Sequence, residues 1–95
     1  MKKTYGRVLA PRKYSVDQNH ACEQHEQCRQ HFISAQSAAC QHLDVGQMSH
    51  ARYELLRANA SVAQGLVWAE IIGIDPAGWI ARMEDIDRLW ERAQS

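Results

Sequence analysis

Met48, Ala51, Leu55, Ala58, Val62, Leu66, Ala69 and Ile72 recur at steps of three and four, the spacing that lines one face of an α-helix. The run starts just after Gly46 and stops at Gly73, and glycine readily takes the positive φ that closes a helix. A helix over about 47–72 is therefore predicted, with Gly65 marking either a kink or a close contact with a neighbouring helix. Asp75-Pro76 restarts the chain with a capping side chain followed by proline at a first-turn position, where its missing N–H does no harm. In the helix that follows, about 76–93, Trp79, Ile80, Met83, Ile86, Leu89 and Trp90 form the expected inner face. Glu84, Asp85, Asp87 and Glu91 alternate with Arg82, Arg88 and Arg92 on the expected outer face. Upstream, Asp17 opens a stretch free of glycine and proline up to Gly46, dominated by alanine and glutamine. It predicts a first helix over about 17–43 with Asp17 as its N-cap.

Three helices in one all-α bundle are the expected fold, with residues 1–16 as a separate, mostly extended arm and 17–95 as a single helical domain. The apolar residues are unevenly shared among them. Phe32 and Ile33 are the only large ones in 17–42, whereas LVWAEII at 66–72 is apolar nearly all round. Such a helix must be central, or must bury its second face against another chain. A homodimer or a covering partner is thus expected, with Leu66, Trp68, Trp79 and Trp90 as core or dimer anchors.

Length and composition narrow the reading. Ninety-five residues suit one small domain, and the two prolines and five glycines do not describe a disordered chain. No apolar run is long enough to span a membrane, and the charged start lacks the continuous apolar segment of a signal peptide, so neither is expected. Three cysteines make no disulfide framework, which fits reduced thiols and a cytoplasmic setting. The zero net charge conceals an asymmetry. Lys2, Lys3, Arg7, Arg12 and Lys13 precede the first acid, and the rest of the chain sets six arginines against eleven acids. A basic arm on an acidic body can touch nucleic acid or an acidic protein surface.

HACEQHEQCRQH, residues 20–31, is the one stretch rich in ligating side chains. Residues three apart on a helix drift by about 60° per step, so Cys22, His25, Cys28 and His31 spiral half-way round the axis. Pairs can grip an ion, but all four cannot converge on one. A tetrahedral zinc site would need further ligands, with Cys40, His42 and His50 as candidates. The cysteines stand at C-x5-C-x11-C, no HExxH occurs, and no Glu-x-x-His pair suggests a di-iron bundle. No metal or cofactor is therefore expected. Nor is catalysis, because cysteine and histidine on an open helix flank lack a prepared oxyanion site. The chain then reads as a polar first helix with half-buried cysteines and solvent-facing histidines.

WAEIIGIDPAGWIARME, residues 68–84, resembles the core of phage-repressor-type helix-turn-helix proteins. Ala69 stands four before the turn glycine Gly73, and Asp75 falls where a small polar residue caps the recognition helix. The resemblance covers about 17 residues and implies a DNA-binding transcriptional regulator. Past the glycine it needs one inserted residue, and Glu84, Asp85 and Asp87 would repel phosphate. A zinc-stabilised helical module is the other alternative.

The leading expectation is a small non-enzymatic binding protein that regulates or inhibits a larger protein or nucleoprotein by masking a surface. Phages and mobile elements carry inhibitors and adaptors of this size. The arm (Lys2, Lys3, Arg7, Arg12, Lys13) and the polar face of the first helix (Gln24, Gln27, Arg29) are the expected contacts, with nucleic acid reached through the arm if at all.

Overall fold

A computed structural model describes residues 17–94, and the basic arm lies outside the described residues. Three helices and no strand occur among those residues: α1 (Gln18–Asp44), α2 (Met48–Ile72) and α3 (Ala77–Gln94). Each matches its predicted span to within a residue or so. The boundary signals work as local chemistry requires. The Asp17 carboxylate accepts from the Asn19 N–H at 3.4 Å at the start of α1, and the Asp75 carboxylate accepts from the Ala77 N–H at 3.0 Å at the start of α3.

Both helix stops are Schellman motifs. Gly46 (φ 78°) and Gly73 (φ 80°) sit in the left-handed region that a side chain would strain. The Gln47 N–H donates to His42 O at 2.8 Å and the Ile74 N–H to Ala69 O at 2.8 Å, closing each last turn. Each motif turns the chain back on itself, so neighbouring helices run antiparallel. His20, early in α1, lies against Trp68, late in α2.

The seam between α1 and α2 is built from small residues. Ala21, Cys28, Phe32, Ala35, Ala39 and Leu43 of α1 are buried against Ala51, Leu55, Ala58, Val62, Gly65 and Ala69 of α2. The α2 set steps by four and three alternately, the repeat of a coiled-coil seam. Alanine at alternate knobs lets two helices approach closely without large side chains, which is how α1 packs with so few of them. Gly65, and not Leu66, occupies the buried position at its level of the stripe, and Leu66 is half-buried to one side.

Gly65 lies inside α2, which is helical without interruption from Met48 to Ile72. It marks a close contact. A Cβ there would lie 2.4 Å from Cζ2 of Trp79, far inside contact distance. Trp79, only 2% exposed, is the largest fully buried side chain and pins α3 to the hairpin. From it α3 runs back alongside α2. Ile86 and Trp90 face Leu55 and Leu56 across a shared groove, and Arg52 of α2 donates to Ala93 O at 2.7 Å, closing the far end of α3. The stretch 68–84 is thus an antiparallel hairpin, and the helix-turn-helix resemblance does not extend to two helices crossing steeply.

Two expectations about α3 are corrected. Ile80 and Met83 do not face inward: they are 46% and 38% exposed. Conversely Arg82, expected on the outer face, lies over the Trp79 ring (4.7 Å) and the Phe32 ring (5.6 Å). The cause is that α3 rests mainly on α2 and buries a narrow stripe, Trp79, Ile86 and Ala93, one residue per seven. The flank carrying Ile80 and Met83 turns to solvent, while Arg82 reaches across to Phe32 of α1.

Candidate functional site

The histidines and cysteines of α1 disperse around the helix. Cys22 is exposed, Cys28 is buried in the seam and Cys40 is intermediate. Burial pushes the Cys28 thiol pKa up, which keeps it protonated and inert. His31 is exposed, and His42 Nδ1–H donates to Gln47 Oε1 at 2.7 Å while its ring lies 5.2 Å from that of His50. Among the described residues no three of His, Cys, Asp and Glu come together as a metal-holding group.

His25 departs from the expected solvent-facing role. It is half-buried, and Trp79 Nε1–H points at its Nε2 at 2.9 Å, with the two rings edge to face (85°). An indole N–H can only donate, so His25 Nε2 is the acceptor and carries no proton. Desolvation lowers the His25 pKa, and Arg82 and Arg29 lower it further against the opposing pull of Glu26. Glu26 is itself engaged: Arg29 holds both carboxylate oxygens at 3.0 and 2.8 Å, and Gln30 adds a bond at 2.7 Å. Those bonds, the arginine first, draw the Glu26 pKa down to about 2.

The predicted partner-binding residues of α1 do not form one patch. Gln24 is half-buried and Gln27 exposed on adjoining positions, whereas Arg29 lies about 140° or more around the axis, beside α3, and is committed to Glu26. Lys2, Lys3, Arg7, Arg12 and Lys13 lie outside the described residues. The four predicted anchors also separate. Trp79 is core, and Trp68 is half-buried edge-on to His20. Leu66 borders a shallow apolar hollow of about 650 Å³ at the α2–α3 turn, and Trp90 borders a groove of about 230 Å³ between those helices.

What sequence reasoning passed over is a second stripe on α2. Tyr53, Leu56, Ala60, Ala63 and Val67 repeat the same alternation of three and four as the buried seam, on nearly the opposite side of the helix. All five are exposed, with the large ones at 63%, 59% and 56%. Their spacing was readable, but polar neighbours Arg57, Asn59 and Gln64 masked the pattern in a linear scan. Leu56 leads across the groove to Trp90 of α3, so the stripe continues onto a second helix. No described helix is long and apolar enough to cross a membrane.

No protein-family model matches the chain, and no curated protein or solved structure matches it significantly.

Proposed function

We propose that the chain is a small non-enzymatic binding protein that works as a homodimer and covers a surface of a larger macromolecular partner. The observation that carries this reading is the outer stripe of α2. A helix packed on one side by a seam has no need of a second apolar stripe at the same repeat unless another helix covers it. Full burial of Tyr, Leu or Val side chains contributes about 1.5–3 kcal/mol each, so leaving three of them half-bare is costly unless association recovers the loss.

The sizes along the stripe suit a second copy. In an antiparallel pair centred on Ala60, Leu56 meets the partner's Ala63 and Tyr53 meets the partner's Val67, large against small. Arg57 then meets no like charge. The pairing leaves the outer face of α1, with Gln24 and Gln27, and the basic arm for the larger partner, which they engage by polar and electrostatic contact.

Light scattering across a concentration series is expected to give twice the chain mass, and Leu56→Glu to give a monomer of unchanged helicity. A monomer at every concentration defeats the dimer. A photo-crosslinking residue at Gln27 is expected to form a discrete adduct with another macromolecule in cells, and one at Leu56 to form the homodimer. No adduct from position 27 defeats the masking role.

A further inference from the structure

The junction of His25 with Trp79 stands apart from the proposed contact face. We propose that it is a proton-sensitive latch, holding the N-terminal end of α3 on the α1–α2 hairpin when His25 is neutral and releasing it when His25 takes up a proton.

The argument is one of donors and acceptors. Trp79 Nε1–H donates to His25 Nε2 over 2.9 Å, and the indole has no acceptor to offer in return. Protonation puts the ring's second N–H on Nε2, so two donors face each other and the bond is lost. The described residues bury no charged or polar side chain, and the other groups set against the Trp79 ring, Gly65 and the Arg82 guanidinium, offer its N–H no side-chain acceptor.

The surrounding charges make the cation unwelcome. On α1 itself, Glu26 attracts it, but that carboxylate is already clasped by Arg29, whose own charge opposes. From α3, Arg82 sits over the Trp79 ring and opposes it too. The α2 seam positions facing this level, Val62, Gly65 and Ala69, carry no charge. Burial and the two arginines therefore hold the folded-state pKa below the ordinary histidine value.

The sign follows. A histidine whose pKa is lowered by folding binds protons more readily in the unfolded or released state. Its contribution is complete above about pH 6.5 and drains away as pH falls from there to the lowered folded-state value. The effect is local because Trp79 on His25 and Arg82 over Phe32 join the early turns of α3 to α1. Towards the far end of α3, the pair of Arg92 with Asp44 at 4.0 Å is long and exposed. Opening this end bares the notch above Gly65 and one face of Phe32.

The test uses ¹⁵N-labelled protein and its three indole N–H resonances, with Trp79→Phe identifying that of Trp79. Between pH 8 and 4.5 this resonance is expected to shift with a midpoint below 6.5, tracking the His25 imidazole's own titration. In His25→Gln, whose amide oxygen can accept the indole N–H but takes no proton, that titration is expected to vanish. The midpoint of chemical denaturation is expected to fall more from pH 7.5 to 5 in the wild type than in His25→Gln, with His20, His31, His42 and His50 common to both. Hydrogen exchange at pH 5 is expected to lose protection in the first turns of α3 before α1 and α2. An indole resonance that ignores His25, an equal pH response in the two proteins, or a uniform loss of protection overturns the latch. If His25→Gln fails to fold, the wild-type resonance and exchange pattern decide alone.

Discussion

The α1–α2 hairpin and α3 are held by different means. In the hairpin, six buried residues on each helix mesh along a continuous seam, and alanine at many of them brings the two backbones close. No single residue dominates. By contrast, α3 buries three residues in eighteen and depends on discrete fastenings. Trp79 fills the notch at Gly65, Arg82 lies over two rings, and Arg52 closes the last turn through Ala93 O. A distributed seam loses a little with each change, whereas a pinned helix fails at its pin. Stability is then unequal along one chain, with α3 at the weaker end.

The sharpest way to break the contrast is Trp79→Ala, expected to cost about 3–5 kcal/mol and to free α3 while the hairpin keeps its helicity. Chemical denaturation and exchange protection of α3 against α2 measure it. Leu55→Ala, fully buried in the seam, is expected to cost about 2–5 kcal/mol and to lower protection throughout. Equal damage to α3 and hairpin by both variants would erase the distinction.

Gly65→Ala comes next, and its sign depends on the pin. Alanine favours a helix interior by about 1 kcal/mol over glycine. Three ring atoms of Trp79 within 2.6 Å of the new Cβ outweigh that, giving a net loss of about 1–3 kcal/mol. In a Trp79→Ala background the same change is expected to stabilise, so a double-mutant cycle should show a change of sign. Arg52→Met, which keeps the stem and loses the donor to Ala93 O, is expected to cost about 1 kcal/mol, read as a lower denaturation midpoint. Smallest for the single chain is Leu56→Glu, within about 0.5 kcal/mol because the residue is mostly in water, although it is expected to abolish association.

The helices and their ends were legible because each boundary has a local cause: Asp17 and Asp75 cap, Gly46 and Gly73 turn. The inner face of α3 was only partly so. Periodicity reports which residues share a side, not how wide a neighbour covers that side, so Ile80 and Met83 read as buried and are not. Arg82 was misread for a related reason. A charged residue defaults to solvent unless rings stand within its reach, and Phe32, fifty residues away, is invisible to a local scan. The pairing of His25 with Trp79 joins residues 54 apart and has no sequence signature at all.

The notch at Gly65 also bears on how this chain can change over generations. Its width is set by a ring supplied from another helix, so neither position drifts alone: a side chain acquired at 65 is tolerated only after 79 has become smaller. Descendants of this sequence are therefore expected to exchange the pair in that order, through an intermediate with a void instead of a collision.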